Sequence, residues 1–403
     1  MPAQSFEFTP DGDSTLFAAA PAGAAVFVLC GEDGSEPYVS KTSNLRRRLQ
    51  RLLGAVEGQG RKLNLRDRVR LVEWTPVGSH FEASFLLYKT LRREFPQTYG
   101  KRLRLRFAPL IKLILDNPYP RATVTTRISG LRGNAQYYGP FPTRIAAEKF
   151  ASDALDLFKM RRCTFDLNPD PAFPGCIYSE MKMCLAPCFK GCSDEEYAAE
   201  VERVQQFFQS GGQSLMREIE RQRDEASANL DFEGAAVQHA RLEKVNAAVS
   251  QLPEIVRRLD ELNGLMVQPS AERESVALFE IAGGQICDPV TLTVGKPAEA
   301  SHPGSRPQSM ESRITEALAT VDRSKLRNAL ERMEHLALLK RWYYRTSKVG
   351  ELFLAESHGE LPMRRVVRGV SRVFRGERPA GDLSETAGDC WKLRAREAGI
   401  TDQ

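Results

Sequence analysis

The sequence has no apolar run long enough to cross a membrane. In its 403 residues no segment approaches the ~20 apolar residues that a transmembrane helix needs. The most apolar N-terminal segment, residues 16–30, is preceded by Asp11 and Asp13 and by no Lys or Arg, so it lacks the basic region of a secretory signal. We therefore expect a cytoplasmic protein, in which the 8 cysteines are more often thiols or metal ligands than disulfides.

Acidic residues are scarce in the N-terminal third. Residues 41–132 contain 21 Lys and Arg against 6 Asp and Glu, a local charge of +15. Because the whole chain is +5, the remainder carries −10. Such an asymmetry favours a polyanion partner, most often a nucleic acid, over a merely solvated basic surface.

Apolar periodicity, caps and breakers predict a chain of mixed helices and strands. Thr42 or Ser43 is expected to cap the first of the helices, Ser193 with Glu196 to form a capping box, and Asp231 to cap another helix. The predicted strands are 24–29, 37–39, 64–72, 101–107, 122–128, 276–281 and 290–294. The predicted helices are 44–53, 81–95, 143–158, one from Ser193 to about Phe208, 214–230, 232–262 and most of 313–344. A turn is predicted at 137–142 and a linker at 295–309.

Three arginines alternate with apolar residues in the predicted strand 101–107. A strand would place Arg102, Arg104 and Arg106 in one row, either facing phosphates or simply facing solvent.

Histidine is absent around the densest group of cysteines. Cys163, Cys176, Cys184, Cys188 and Cys192 lie within thirty residues, and the 5 histidines lie elsewhere. A site here would use thiolates alone, which suits a [4Fe–4S] cluster or a zinc ion held by four cysteines. The spacing alone leaves both metals open.

Several motifs resemble one known family. CIYSEMKMCLAPC (176–188) resembles the Cys-x7-Cys-x3-Cys signature of the UvrC family of the excinuclease ABC system, nucleases of nucleotide-excision repair, and Cys163 matches the family's upstream cysteine. QYYGPFP, PLIKL and YPRATVTTR are similar to other segments of that family, and ASANLDFEGAAVQHARLEKV (226–245) resembles its UVR motif. The resemblance runs from about residue 20 to 250. Beyond it we find no counterpart of the family's second nuclease domain, as expected of a truncated paralogue.

The resemblance implies a [4Fe–4S] cluster on Cys163, Cys176, Cys184 and Cys188, with Cys192 spare. It also implies that the helical hairpin at 214–262 docks another protein of the excinuclease, a UvrB-like protein. The partner-binding residues expected at the tip of this hairpin are Leu230, Phe232, Ala235 and Ala236. His239 and Ala240 stand where the motif usually carries Arg-Asp.

The resemblance also places residues 20–100 in a GIY-YIG nuclease module. Tyr38 and Arg48 match two of the family's catalytic positions, whereas Phe27 replaces a tyrosine and Leu87 replaces the metal-binding glutamate. The charged residues expected to hold DNA are Lys41, Arg46, Arg47, Arg51, Arg102, Arg104 and Arg106. Because Mg²⁺ usually needs a carboxylate ligand, the sequence gives little support for a Mg²⁺ site, and whether the chain is an enzyme stays open.

Two carboxylates lie between residues 77 and 100, Glu82 and Glu94. On a helix Glu82 would lie roughly 140° around the axis from Leu87, and Glu94 about 10 Å further along it. We expect neither to replace the glutamate.

Together these patterns predict an α+β multidomain protein. Its parts are a degenerate GIY-YIG-like α/β domain (20–100), a basic strand and helix extension (101–162), the cysteine cluster (163–195), a helical UVR region (196–265) and a mixed C-terminal region of unknown role (266–403). The favoured function is a UvrC-like, DNA-binding protein of nucleotide-excision repair whose nuclease chemistry is lost. The alternatives are an active metal-dependent endonuclease that incises damaged DNA and an iron–sulfur scaffold that binds RNA.

Overall fold

The structure is a computed structural model that describes residues 4–32, 34–55, 63–129, 134–250, 252–295, 308–323, 328–356 and 359–377. It is a mixed α/β fold in which the described strands form three antiparallel sheets. No helix in these ranges is long and apolar enough to cross a membrane.

The N-terminal sheet has four strands in the order β1-β4-β2-β3. The elements are β1 (Gln4–Glu7), α1 (Asp13–Ala19), β2 (Ala25–Cys30), β3 (Tyr38–Thr42), α2 (Leu45–Leu53), β4 (Leu71–Pro76) and α3 (His80–Glu94). Leucines at a helical spacing on α2, including Leu45, Leu49 and Leu52, are buried against this sheet. The strands predicted at 24–29 and 37–39 are confirmed and pair as a hairpin, and the helices predicted at 44–53 and 81–95 are confirmed.

Two local predictions in this unit are wrong. Asn44, and neither Thr42 nor Ser43, caps α2, because its side chain accepts the N–H of Arg47. The strand predicted at 64–72 begins at Leu71 instead, because the residues before it form turns whose N–H groups bond back to Leu65.

The predicted arginine row is also wrong. Residues Tyr99–Leu103 form a short helix, α4, which ends at Arg104 in the left-handed region with φ of 49°. The guanidinium of Arg102 lies 3.9 Å from the ring centroid of Phe95 and pairs with Glu36. These contacts outside the segment outweigh its alternating pattern, so the three arginines do not share one face of a strand.

The middle unit contains the second sheet, in the order β6-β5-β7-β8. Its elements are β5 (Leu110–Ile114), β6 (Arg121–Thr125), β7 (Ala135–Gly139), α5 (Arg144–Leu155), α6 (Ile177–Glu180), α7 (Asp194–Gln209), α8 (Gln213–Ala228), α9 (Phe232–Val249) and β8 (Arg257–Arg258). The capping box of Ser193 with Glu196 and the cap by Asp231 are confirmed. Residues 137–139, predicted as a turn, are part of β7, and the helix predicted at 232–262 ends at Val249.

The C-terminal unit is a five-stranded sheet with helices on both faces. Its elements are β9 (Gly264–Pro269), β10 (Ser275–Ala282), β11 (Gln285–Ile286), β12 (Val290–Thr293), α10 (Met310–Ala319), α11 (Ala329–Tyr343), β13 (Glu351–Leu354) and α12 (Met363–Arg375). The strands predicted at 276–281 and 290–294 are confirmed as β10 and β12, which pair antiparallel. Most of the predicted linker at 295–309 lies outside the described residues.

Helix α3 belongs to two cores at once. Ala83 packs with Val26 of β2, whereas the rings of Phe81 and Phe85 lie 5.1 and 5.7 Å from that of Phe279 on β10. The Tyr88 hydroxyl donates to the buried carboxylate of Glu334 on α11 at 2.8 Å. The C-terminal unit is therefore packed directly on the helix that carries Leu87.

Candidate functional site

The two matching positions of the nuclease module are in contact. Arg48 on α2 donates from Nη2 to the Tyr38 hydroxyl of β3 at 2.8 Å. Phe27 is fully buried on the neighbouring strand, with its ring centroid 6.1 Å from that of Tyr38. The Tyr38 hydroxyl is thus hydrogen-bonded to the Arg48 guanidinium. At the position of Phe27 a tyrosine would supply a second hydroxyl, whereas phenylalanine supplies only an apolar ring.

Leu87 is part of α3 and lies in an apolar environment where this helix contacts the N-terminal sheet. It packs against a small cluster made by Val26, Val77 and Ala83. A carboxylate at this position would lose solvation against these side chains unless a cation offset its charge.

The nearby carboxylates are engaged elsewhere. Glu82 accepts the N–H of Gly78 at 2.7 Å, and its own N–H donates to Ser79 Oγ at 3.0 Å, so the pair forms the N-cap of α3. Burial raises the pKa of Glu82, partly offset by the hydrogen bond from Gly78. Glu94 accepts from the neighbouring Arg93 at 2.7 Å.

The arginines predicted to hold DNA are dispersed over the N-terminal unit. Arg46 donates to the carbonyl of Ala20 at 2.9 Å, which fixes it to the end of α1. Arg47 and Arg51 are exposed on α2, and Arg104 and Arg106 are exposed around the end of α4. These arginines therefore come from two different elements and not from one strand, and their binding role stays a prediction.

The four predicted cysteine ligands line one narrow cavity, whereas Cys192 does not line it. Cys163 follows α5, Cys176 precedes α6, and Cys184 and Cys188 lie in the loop before α7. Burial raises the pKa of the Cys184 thiol to about 11, and the other three sulfurs add to this rise. None of the described cysteines forms a disulfide, and the described residues contain no group of three or more side chains arranged around a single metal ion.

A buried arginine beside this cavity is the residue that the sequence patterns missed. Arg161 is 1% exposed and lines the cavity; its Nη1 lies 3.2 Å from the sulfur of Cys163 and 2.8 Å from the carbonyl of Phe165. Its Nη2 is buried without a hydrogen-bond partner, and no described carboxylate pairs with it. A buried cation of this kind needs a nearby negative charge. In the sequence, Arg161 stands two residues before Cys163, and this proximity to a predicted ligand was the one pattern that could have indicated its place beside the cavity.

The loop around the cavity also holds strained backbone. Lys182, Ala186 and Lys190 have φ of 55°, 57° and 58°, and the Ala186 N–H donates to the sulfur of Cys184 at 3.3 Å. Non-glycine residues in this region of φ cost free energy, and such positions concentrate at binding sites. The donor set of this cavity, four thiols with N–H groups directed at two of the sulfurs, fits an anionic thiolate-ligated cluster.

The helical hairpin of α8 and α9 is packed at one end and exposed at the other. Leu215, Ile219, Leu242 and Val245 are buried in the core of the middle unit. At the tip Leu230 is 74% exposed and Phe232 is 68% exposed. The helix predicted at 214–230 ends two residues early, at Ala228, and Leu230 takes φ of 59° in the connecting loop.

Exposure continues along the first turns of α9. Ala235 is half-buried, whereas Ala236 and Val237 are exposed. The tip is therefore an apolar surface without a covering element in the described chain.

One family model and several curated proteins resemble parts of this chain. Residues 109–207 match the family model described as UvrC/Cho excinuclease, middle domain, which covers three of the four strands of the second sheet and the cysteine cavity. No solved structure matches the chain.

Several curated relatives carry the name UvrABC system protein C. The protein of Methanothermobacter thermautotrophicus is 26% identical over 66% of this chain and 44% of its own length. That of Porphyromonas gingivalis is 23% identical over 73% of this chain and 49% of its own, and that of Acidobacterium capsulatum is 31% identical over 54% and 33%. The chain is similar to these UvrC proteins, and its match spans less than half the length of each of them.

Proposed function

We propose that this chain is a DNA-binding, cytoplasmic protein of nucleotide-excision repair whose GIY-YIG-like module holds DNA without cutting it. The observation that carries the proposal is Leu87, which packs among apolar side chains at the place of the metal-binding glutamate. Hydrolysis of a phosphodiester needs a nucleophile to be generated and negative charge to be neutralised, and a divalent metal usually supplies much of both.

The remaining groups support binding more than hydrolysis. Arg48 retains its charge and is oriented by its 2.8 Å hydrogen bond to Tyr38, so the pair can contact a phosphate. Glu82, the carboxylate nearest in sequence, is used as a helix cap. The Tyr38–Arg48 pair offers Mg²⁺ no carboxylate, and the carboxylate of Glu82 is engaged by the N–H of Gly78.

The cysteine cavity would hold a [4Fe–4S] cluster on Cys163, Cys176, Cys184 and Cys188. Such a cluster is anionic and stable in a thiolate environment with N–H donors to sulfur. The buried guanidinium of Arg161, whose Nη2 has no partner, would face this negative charge. In this location the cluster would tie together the ends of α5, α6 and α7.

The exposed hairpin tip would dock a UvrB-like protein of the excinuclease. Phe232 and Leu230 together offer apolar area that the described chain leaves in solvent. A large exposed aromatic beside a strained leucine is typical of an interface anchor.

An incision assay tests the central proposal. Purified protein is incubated with lesion-containing and intact duplexes, Mg²⁺ or Mn²⁺, and the UvrB-like protein, and nicks are measured on a denaturing gel. We expect binding without nicks, and weaker binding in Arg48→Ala than in the matched control Arg144→Ala, because Arg144 is exposed, pairs with Glu148 on its own helix and lies outside the contact with Tyr38.

Two results would reject this function. Metal-dependent incision that is lost in Arg48→Ala would identify an active endonuclease with altered ligands. Tighter binding to single-stranded RNA than to any duplex would instead favour the iron–sulfur RNA scaffold.

A further inference from the structure

A second group of basic side chains lies on the face of the N-terminal sheet that is opposite to the Tyr38 side chain. Tyr38 and Lys41 are three residues apart on β3, so they point to opposite faces. Lys41 faces α3, where its Nζ donates to Ser84 Oγ at 2.7 Å and lies 3.4 Å from Nε2 of His80. A lysine ammonium has three N–H donors, so one remains for a ligand.

The C-terminal unit brings two arginines to this lysine. Trp342 of α11 packs edge-on against Phe81 at 6.0 Å between ring centroids, which holds the end of α11 against the start of α3. Arg341 and Arg345 lie one turn apart at this end and are exposed. Burial together with these two arginines lowers the pKa of Lys41 to about 8, and burial, Lys41 and the two arginines lower that of His80 to about 4.

The protonation state of His80 and the lack, within the described ranges, of a nearby carboxylate characterise this group of basic side chains. His80 is neutral at physiological pH, so its Nε2 can accept from Lys41. Among the described residues no carboxylate pairs with Lys41, Arg341 or Arg345, and none acts on the charge of Lys41. The carboxyl end of a helix favours cations, which accounts for the arginines of α11 but not for a half-buried lysine from β3 beside them.

We propose that Lys41, Arg341 and Arg345 form one anion site that takes a backbone phosphate of duplex DNA. Three cations held together without a counter-charge repel each other, and a bound phosphate would remove this repulsion. The C-terminal unit thereby takes part in holding DNA.

The site lies beside the position that a metal-binding glutamate would occupy. Ser84 contacts Lys41, and Leu87 follows Ser84 by three residues on the same helix, so the two are neighbours on its surface. Three protein cations supply positive charge there in place of a metal ion. This inference rests on the proposed function, since it assigns the phosphate contact of a module that holds DNA.

The test uses the full chain and two double variants matched in charge. Arg341→Gln/Arg345→Gln removes both arginines of the site, whereas Arg144→Gln/Arg221→Gln removes two exposed arginines that pair with Glu148 and Glu225 on their own helices. Duplex affinity is measured by fluorescence anisotropy over a series of salt concentrations. Each lost phosphate contact should lower the slope of log affinity against log salt by about one.

A second measurement reports on Lys41 itself. Its reaction with an amine-specific reagent is followed by mass spectrometry over a pH series, free, with duplex and with inorganic phosphate. We expect an apparent pKa near 8 that rises in Arg341→Gln/Arg345→Gln and stays unchanged in the control variant. Duplex should protect Lys41 more strongly than inorganic phosphate does.

The outcomes separate this inference from the proposed function. Absence of duplex binding by the unaltered protein would reject the proposed function. Normal binding with an unchanged salt slope in Arg341→Gln/Arg345→Gln would overturn the phosphate site alone, even if the pKa of Lys41 rises. Protection by inorganic phosphate with none by duplex would also overturn it, because the site would then take small anions.

Discussion

The helical hairpin of α8 and α9 gives the sharpest prediction, because one of its ends is buried and the other, the tip, is exposed. Phe232→Ala removes a side chain that is 68% exposed, so we expect the stability of the protein to change little. A phenylalanine buries about 200 Å² when fully covered, and covering the exposed two-thirds, about 130 Å² at about 25 cal/mol per Å², would stabilise a complex by about 3 kcal/mol. Binding to the UvrB-like protein should therefore weaken roughly 100-fold.

The buried end of the same hairpin provides the matched control. Ile219 on α8 is 0% exposed, and Ile219→Ala should lower the free energy of unfolding by about 2–5 kcal/mol. Its effect on the dissociation constant for the UvrB-like protein should be small while the chain remains folded. Calorimetric titration and thermal unfolding of both variants measure the two quantities.

Leu230 adds a substitution that should separate stability from binding. Its φ of 59° is strained for leucine, so Leu230→Gly should stabilise the loop by about 1 kcal/mol while it removes apolar area from the tip. An unchanged affinity for the UvrB-like protein in both Phe232→Ala and Leu230→Gly would refute the docking surface.

Three further predictions concern the other sites. Anaerobically purified protein should contain iron and absorb broadly near ~400 nm, and this absorbance should be lost in Cys184→Ser but kept in Cys192→Ser; stoichiometric zinc without iron would contradict the cluster. Because the pKa of Lys41 is about 8 in the free protein, its charge is complete below that pH and is lost as pH rises through it, so DNA affinity should fall above about pH 8. Lys41→Arg keeps its charge and should abolish this dependence at constant salt. Glu82→Ala should cost about 1 kcal/mol of stability through loss of the α3 cap, whereas a larger effect on DNA binding than on stability would show that Glu82 has a role at the site.

Some local structure could be predicted from sequence because neighbouring residues decide it. Ser193 with Glu196, and Asp231, satisfy the first N–H groups of helices within three residues, so the caps can be read without knowledge of the fold. The leucines of α2 mark its buried face by their spacing alone. The same holds for the cysteine pattern, whose four family positions line one cavity while Cys192 does not.

Other features were decided by tertiary contacts. Residues 101–107 alternate as a strand would, yet Arg102 packs on Phe95 and pairs with Glu36, and the segment begins with a helix. The strand preference of an alternating pattern over only seven residues is weaker than such tertiary contacts.

The charge environment of the sites is likewise a property of the folded chain. Arg161 is defined by burial beside Cys163, and no residue pattern shows that one of its nitrogens lacks a partner. Lys41 and Arg341 are three hundred residues apart, so sequence composition could show that both are basic but not that they share one place. The sequence by itself determined the longer helices other than the end of α9, the caps by Ser193 with Glu196 and by Asp231, and the cysteine pattern, because these depend on neighbours along the chain. The tertiary structure alone decided which charges meet, because that depends on the packing of α11 against α3.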